Sequence, residues 1–195
     1  MAPLKAGEKT RQQILDATLR VIDEAGVDAV THRRVGLQAD LSHGVVGYHF
    51  PKRNELIFQA FEYHLGSVDD YTAKIGLRAG ETMSRDQVID VLCNMVSEEL
   101  ISRSSVRIDM ELTLHATRHA KLATMFSAWL DNGIAQLAQG LDDSGFAKPQ
   151  LLAGGLSNLL RGFLIECLSN RELTVDHFRE RVQKLFVETA WERCR

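Results

Sequence analysis

The stretch "LSHGVVGYHFPKRNEL", Leu41 to Leu56, decides how this chain is to be read. Gly44 and Gly47 each disfavour a helix by about 1 kcal/mol relative to alanine. Val45 and Val46 are β-branched, and Pro51 closes the segment. Yet the same stretch carries His43, Tyr48 and His49, followed by the basic pair Lys52 and Arg53. A short helix of poor propensity must be held by its neighbours, and its crowd of polar groups must serve something outside it.

The neighbours supply the answer. Thr10 to Ala25 reads as an amphipathic helix, with Ile14, Ala17, Thr18, Val21 and Ile22 at helical spacing and Gly26 as its stop. Thr31 suits the N-cap of a second, short helix that turns Val35 and Ala39 inward. A tight turn at Asp40–Leu41 follows, and Ser42 caps a third helix. Pro51 precedes a fourth, from about Arg53 to Ile75, with Leu56, Ile57, Ala60, Phe61 and His64 as its stripe. Three helices in fifty residues, the last two joined by a brief turn, form a helix-turn-helix arrangement. Val46 and Phe50 then plug the small core, which leaves His43, Gly44, Gly47 and Tyr48 facing outward. Small residues for close approach, with a few polar groups between them, are what a helix entering a DNA groove requires.

Charge points the same way. The 195-residue chain has a net charge of −3, which taken alone argues against nucleic acid. Between Thr31 and Arg53, however, Arg33, Arg34, Lys52 and Arg53 face only Asp40, a local +3 that leaves −6 elsewhere. A basic island on an acidic body marks one face for an anion. Three scattered cysteines, Cys93, Cys167 and Cys194, without a CxxC pair, read as reduced structural thiols. The N-terminus lacks an apolar stretch, and no run reaches the length of a membrane span. A cytoplasmic protein is expected.

Residues 8 to 61, "EKTRQQILDATLRVIDEAGVDAVTHRRVGLQADLSHGVVGYHFPKRNELIFQAF", resemble the DNA-binding domain of the TetR family of transcriptional regulators. The resemblance lies in the Arg11–Ile14–Leu15–Ala17 start, Gly26, Thr31, the Ser42-x-Gly44 opening and the closing Phe50 and Leu56. Three positions depart from the family pattern. Asp40 stands where the turn often has glycine. Gly47 stands where a tyrosine is common, with Tyr48 following it. Lys52 and Arg53 stand where a small capping residue and lysine often open the fourth helix. The resemblance implies DNA contacts from Thr31, Arg33, Arg34, Ser42, His43, Gly44, Val45, Gly47, Tyr48, His49, Lys52 and Arg53. Residues 1–52 would then be the DNA-binding domain and 53–195 a helical ligand-binding and dimerisation domain.

The remaining chain reads as further amphipathic helices, about nine in total, so the expected class is all-α. Ser84-x-x-Gln87 is a capping box, and helices are expected over Ser105–Thr117 and Lys121–Gly140. One more runs from Leu151 past Leu168, and Thr174 caps the last. Phe58, Phe61, Met95, Met110, Phe126 and Trp129 are candidates to line a cavity, with His64, His115, Arg118 and Trp129 as polar anchors. Two histidines among those anchors favour a neutral or weakly acidic organic ligand. Gly155, Leu159, Gly162, Phe178, Val182 and Leu185 are the expected dimer seam, where small residues allow close helix approach. Glu111, His115 and His119 fall at i, i+4, i+8, but a helix break near Thr117–Ala120 would separate them, so no metal is expected. Enzyme motifs such as GxSxG, HExxH, GxGxxG and GxxxxGK are absent, and no cofactor is called for. The expected function is a ligand-responsive repressor, binding palindromic double-stranded operator DNA as a homodimer and released by a small organic inducer. The alternative is a helical binding protein or enzyme with a non-functional helix-turn-helix.

Overall fold

The computed structural model describes residues 6–75 and 82–189, and every regular element among them is helical. In order they are α1 (Ala6–Ala25), a 3-10 turn (Val27–Ala29), α2 (His32–Ala39), α3 (His43–His49), α4 (Arg53–Ile75), α5 (Arg85–Ser102), α6 (Ser104–Ala116), α7 (Ala120–Asp143), α8 (Pro149–Ser169) and α9 (Val175–Thr189). The all-α expectation holds among the described residues, and α4 starts where its periodicity places it. The chain divides into two compact units. One comprises Met1–Val68 with Arg107–Phe126, and the other Asp69–Val106 with Ser127–Arg195. This division by packing follows a different line from the expected functional boundary after Lys52.

In the first unit, local chemistry sets each helix end. Gly26, at φ 78, ends α1, and its N–H donates to the Ile22 carbonyl at 2.8 Å. The Thr31 hydroxyl accepts from the Arg34 N–H at 3.1 Å and caps α2. Asp40 adopts the left-handed conformation, φ 54 and ψ 43. Aspartate is one of the few non-glycine residues that visit this region routinely, which accounts for its place in the turn. The Leu41 N–H then reaches back to the Gly36 carbonyl at 2.8 Å. Ser42 accepts from the Val45 N–H at 3.3 Å and opens α3. Ile14, Val21, Val35, Val46 and Phe50 have no exposed surface, and α2 packs against both α1 and α3. The plug assigned to Val46 and Phe50 is in place.

In the second unit, α5 packs on α8 and α9. Its core includes Val88, Leu92 and Val96 of α5, Leu152, Leu156 and Phe163 of α8, and Phe178, Val182 and Phe186 of α9. The capping box is made in both directions: Gln87 N–H to Ser84 Oγ at 3.3 Å, and Ser84 N–H to Gln87 Oε1 at 2.8 Å. After α7, Gly145 at φ 82 lets the Phe146 N–H return to the Leu141 carbonyl at 3.0 Å. Phe146 is thereby laid against Phe186, with ring centroids 5.8 Å apart. Cys93 and Cys167 are buried, and burial pushes both thiols above their ordinary range. By length and mean hydropathy α8 is apolar enough to cross a membrane, although Asn158, Arg161 and Glu166 interrupt it, so it is not an unbroken apolar run. Its inner face belongs to the core just described, so part of that apolarity has a structural use.

Two glycines of the first unit differ in what surrounds them. A Cβ at Gly36 would lie 2.8 Å from the Leu41 carbonyl oxygen, a backbone atom fixed by the turn, whereas a Cβ at Gly47 meets nothing within 4 Å. Gly36→Ala is expected to lower the thermal midpoint, at a cost of about 1–3 kcal/mol from overpacking. Gly47→Ala is expected to raise it, by up to about 1 kcal/mol of helix propensity. Unchanged melting of Gly36→Ala would show that the turn yields without cost.

Candidate functional site

The outward face of α3 is built from Ser42, His43 and Gly44, all exposed, and from Tyr48, which is 82% exposed. Val45, Gly47 and His49 lie at its edges, partly covered. Arg33 and Arg34 stand exposed in the first turn of α2, and Lys52 stands exposed just before α4. Thr31 spends its oxygen on the cap, but a hydroxyl that accepts still has one proton to donate. Leu37, 75% exposed on α2, adds to this surface an apolar side chain that no sequence pattern singles out. The C-terminal end of α3 is held from below. The Phe50 carbonyl accepts from His32 Nε2 at 2.6 Å, a partner that puts the imidazole proton on Nε2. Arg11 Nη1 lies 3.5 Å from the His49 carbonyl, and its guanidinium sits over the Phe50 ring at 4.4 Å.

Arg53, expected among the phosphate contacts, has structural partners that the sequence does not show; its side chain is 36% exposed, with Nη2 4.0 Å from Asp28 Oδ1. Nε donates to the Val30 carbonyl at 2.7 Å and Nη2 to the Val27 carbonyl at 2.8 Å. From the other side Glu111 of α6 accepts the Val27 N–H at 3.0 Å. Arg107, one turn earlier on α6, forms a two-pronged ion pair with Asp23 near the end of α1. The link between α1 and α2 is therefore stapled by side chains of α4 and α6.

A surface cleft of about 610 Å³ opens between α4 and the corner where α6 meets α7. Asn54, Glu55, Phe58, Gln59 and Glu62 of α4 form one wall; His115 of α6, His119, and Lys121 and Leu122 of α7 form the other. The Lys121 ammonium sits 3.9 Å from the centroid of the Phe58 ring. Of the residues expected to receive a ligand, Phe58 and His115 line this cleft. Phe61 is fully buried, 6.4 Å from the His115 ring. His64 is buried and its Nε2 lies 2.8 Å from Asp109 Oδ1, so it is not an open anchor. That pairing removes half of the argument for a neutral or weakly acidic ligand. Phe126 is buried and Met110 partly so; Arg118 is exposed. Met95 packs on the core of the second unit, and Trp129 falls within the residues of that unit.

The helix break between Ala116 and Ala120 falls where expected, but it does not separate the histidines: the His115 and His119 rings lie 4.1 Å apart. Glu111 points instead to Val27, and no group of three or more metal-ligating side chains converges among the described residues. Burial, then His119 and Arg53, hold the His115 imidazole below its ordinary range.

On the second unit, Gly155 is exposed along α8, as is Gly162, while Leu159 and Leu185 are partly so. Phe178 and Val182 are 0% exposed within this one chain. Their side chains serve the core between α5, α8 and α9 and cannot also face a second copy, which corrects their place in the expected seam.

Two measurements test the staple. Arg53→Ala is expected to destabilise the protein by about 1–3 kcal/mol in denaturant unfolding, from the loss of charge-assisted hydrogen bonds. Arg53→Lys should recover little of this, because an ammonium lacks the planar fork that reaches two carbonyls. Full stability of Arg53→Ala would overturn the staple. A lowered imidazole pKa means that the unfolded chain takes up the proton first, so stability should fall as pH drops below about 6.5. His115→Gln should remove that component, as compared by unfolding at neutral and mildly acidic pH.

Comparison with known proteins agrees with this geometry. Residues 14–60 match the family described as "Bacterial regulatory proteins, tetR family", and residues 83–189 match "Tetracyclin repressor-like, C-terminal domain". The HTH-type transcriptional regulator PksA of Bacillus subtilis is 31% identical over 144 residues, covering 72% of this chain and 68% of PksA. A transcriptional regulator from Saccharomonospora viridis, solved in complex with choline, shares the fold with a TM-score of 0.76 at 20% identity, over 93% of this chain and 97% of that one. The multidrug binding protein EbrR, solved with proflavin, aligns with a TM-score of 0.57 at 26% identity, over 90% and 99% of the two chains. A helix-turn-helix with a capped, outward-facing third helix, joined to a helical body matched along residues 83–189, makes this chain a member of the TetR family of transcriptional regulators, not an enzyme.

Proposed function

We propose that the protein is a repressor that binds palindromic operator DNA as a homodimer and leaves it when a small organic inducer binds. The observation that carries this reading is the outer face of α3, where His43, Gly44 and Tyr48 are exposed and flanked by exposed Arg33, Arg34 and Lys52. Ser42, His43, Val45, Tyr48 and His49 read base edges; Gly44 and Gly47 permit the approach. Thr31, Arg33, Arg34 and Lys52 hold phosphates, while Arg53 positions the link above them. Residues 1–52 carry this contact, and 53–195 carry inducer binding and dimerisation. Such a protein works where the chromosome is, in the cytoplasm.

A dimer is needed because one helix-turn-helix covers a half-site, and paired reading helices must sit about 34–36 Å apart or a multiple of that. We place the seam on the exposed face of α8, where Leu151, Gly155, Gly162 and Ile165 face outward, with Leu159 and Leu185 beside them. The inducer works by population shift: it binds better to the state in which the two α3 helices leave operator spacing, with α4 as the element that moves. Choline and proflavin in the two structural relatives support a small organic molecule as the signal.

Replacing Arg33 with alanine should weaken operator binding for every sequence. The slope of log affinity against log salt should fall by about 0.9 for each phosphate no longer neutralised, hence about twice that for a dimer. Gly47→Leu should abolish operator affinity while the chain stays folded; retention of full affinity would mean that another face of α3 meets DNA. Gly162→Arg should convert the dimer to monomer in sedimentation and reduce operator affinity with it. A Gly162→Arg dimer with normal binding would move the seam elsewhere.

A further inference from the structure

We propose that the cleft between α4 and the α6–α7 corner is a binding site for a small organic cation, whose seat on the Phe58 ring is taken by the chain's own Lys121 ammonium. The proposal rests on the ligand-responsive reading above only for its purpose, since the binding itself needs no DNA. The lysine's position is the first argument. Lys121 Nζ lies 3.9 Å from the Phe58 centroid, so the ring face already accepts a cation inside a cleft of about 610 Å³. That volume lies within the range of about 300–1,000 Å³ typical of small-molecule sites.

The charge around the ring selects the ligand class. Glu55, Phe58 and Glu62 lie at i, i+3 and i+7 on α4, so both acidic residues share the cleft wall with the ring. Glu55 also accepts from Gln59 Nε2 at 3.2 Å, which holds it on the cleft wall. Across the cleft stands His115, its imidazole held below the ordinary range by burial and then by His119 and Arg53, with the His119 ring tilted against it at 4.1 Å. Among the carboxylate and ammonium groups lining the cleft, Glu55 and Glu62 outweigh Lys121 by one negative charge, and with Lys121 swung into water the two acidic residues are left on the wall without it. An organic anion would meet both carboxylates, and a neutral molecule would gain nothing that offsets moving the lysine. A cation replaces like with like.

Displacement is cheap. Lys121 is exposed, on a flexible stem, and its ammonium is strongly hydrated in water. A quaternary ammonium or a flat delocalised cation is less hydrated and gains more from an aromatic face.

Titration calorimetry on the whole protein without DNA tests the site independently of operator binding. Benzyltrimethylammonium is the probe, and N,N-dimethylbenzamide is a neutral molecule of nearly the same size. The cation is expected to bind and the amide to bind at least about fivefold more weakly, since it has no charge to place over the ring. Lys121→Ala removes the competitor and should tighten the cation's affinity about two- to fivefold. Phe58→Leu should weaken it in both backgrounds, with folding checked by circular dichroism. The site is overturned by equal affinity for the amide, by an affinity that ignores Lys121→Ala, or by no binding at millimolar probe to either protein. The Lys121→Ala arm keeps the test intact even if Phe58→Leu does not fold.

Discussion

Between α1 and α2, from Gly26 to Val30, the backbone makes a single 3-10 turn: the Ala29 and Val30 N–H groups reach the Gly26 and Val27 carbonyls, while the Val27 N–H and the Val30 carbonyl take side-chain partners. Buried or half-buried peptide groups left without partners are costly. Arg53 answers for the carbonyls of Val27 and Val30, and Glu111 for the N–H of Val27. The direction of α2, hence of everything that hangs from it, depends on these contacts. Thr31 begins α2 immediately after the link, Arg33 and Arg34 follow within its first turn, and α3 is folded back by Asp40 and Gly36. A displacement of α4 or α6 that broke the staple would reach the outward face of α3 with few intervening atoms.

The third helix shows the same division of labour at a smaller scale. Its N-terminus is capped by Ser42, and its C-terminal carbonyls are met by His32 and Arg11. Val46 and Phe50 anchor it beneath. Stability is thus drawn from the ends and the underside, which is why two glycines and two valines are tolerable in seven residues. Of the side chains on top, His43 and Tyr48 are exposed and serve neither the cap nor the core beneath. That is the condition under which a surface can be selected for contact with a ligand as varied as DNA sequence.

The parts of this architecture that are legible in the sequence are those decided over three or four residues. The caps Thr31–Arg34, Ser42–Val45 and Ser84–Gln87 are local hydrogen bonds, and they set helix starts that periodicity alone leaves loose. The parts that are not legible depend on contacts across long separations. Glu111 meets Val27 across 84 positions, and His64 meets Asp109 across 45. In the sequence, Arg53 is one of four basic residues in an island and Glu111 one of three potential ligands at helical spacing. Only packing distinguishes a staple from a phosphate contact. His119 illustrates the reverse case: a break in the helix is foreseeable, but the direction of the corner that brings its ring back to His115 is not.

Phe178 and Val182 raise the same difficulty in the second unit. An apolar stripe says that a helix has a covered face; on a helix with two such faces it does not say which one covers what. In α9 the aromatic and branched residues at 178, 182 and 186 all turn to the chain's own core. In α8 the inner set, Leu152, Leu156 and Phe163, does the same, yet Leu151 and Ile165 remain exposed with Gly155 and Gly162 between them. A helix that is apolar around most of its circumference is normally covered around most of it. Bare glycines on the outward face let another helix come close, and the flanking leucine and isoleucine would shed water on its arrival. The composition of α8 matches a membrane span by length and hydropathy; one face on its own core and, in the proposed dimer, the other on a second copy would account for it. The fully buried residues of α9 would then act as the rigid backing against which that second face is presented.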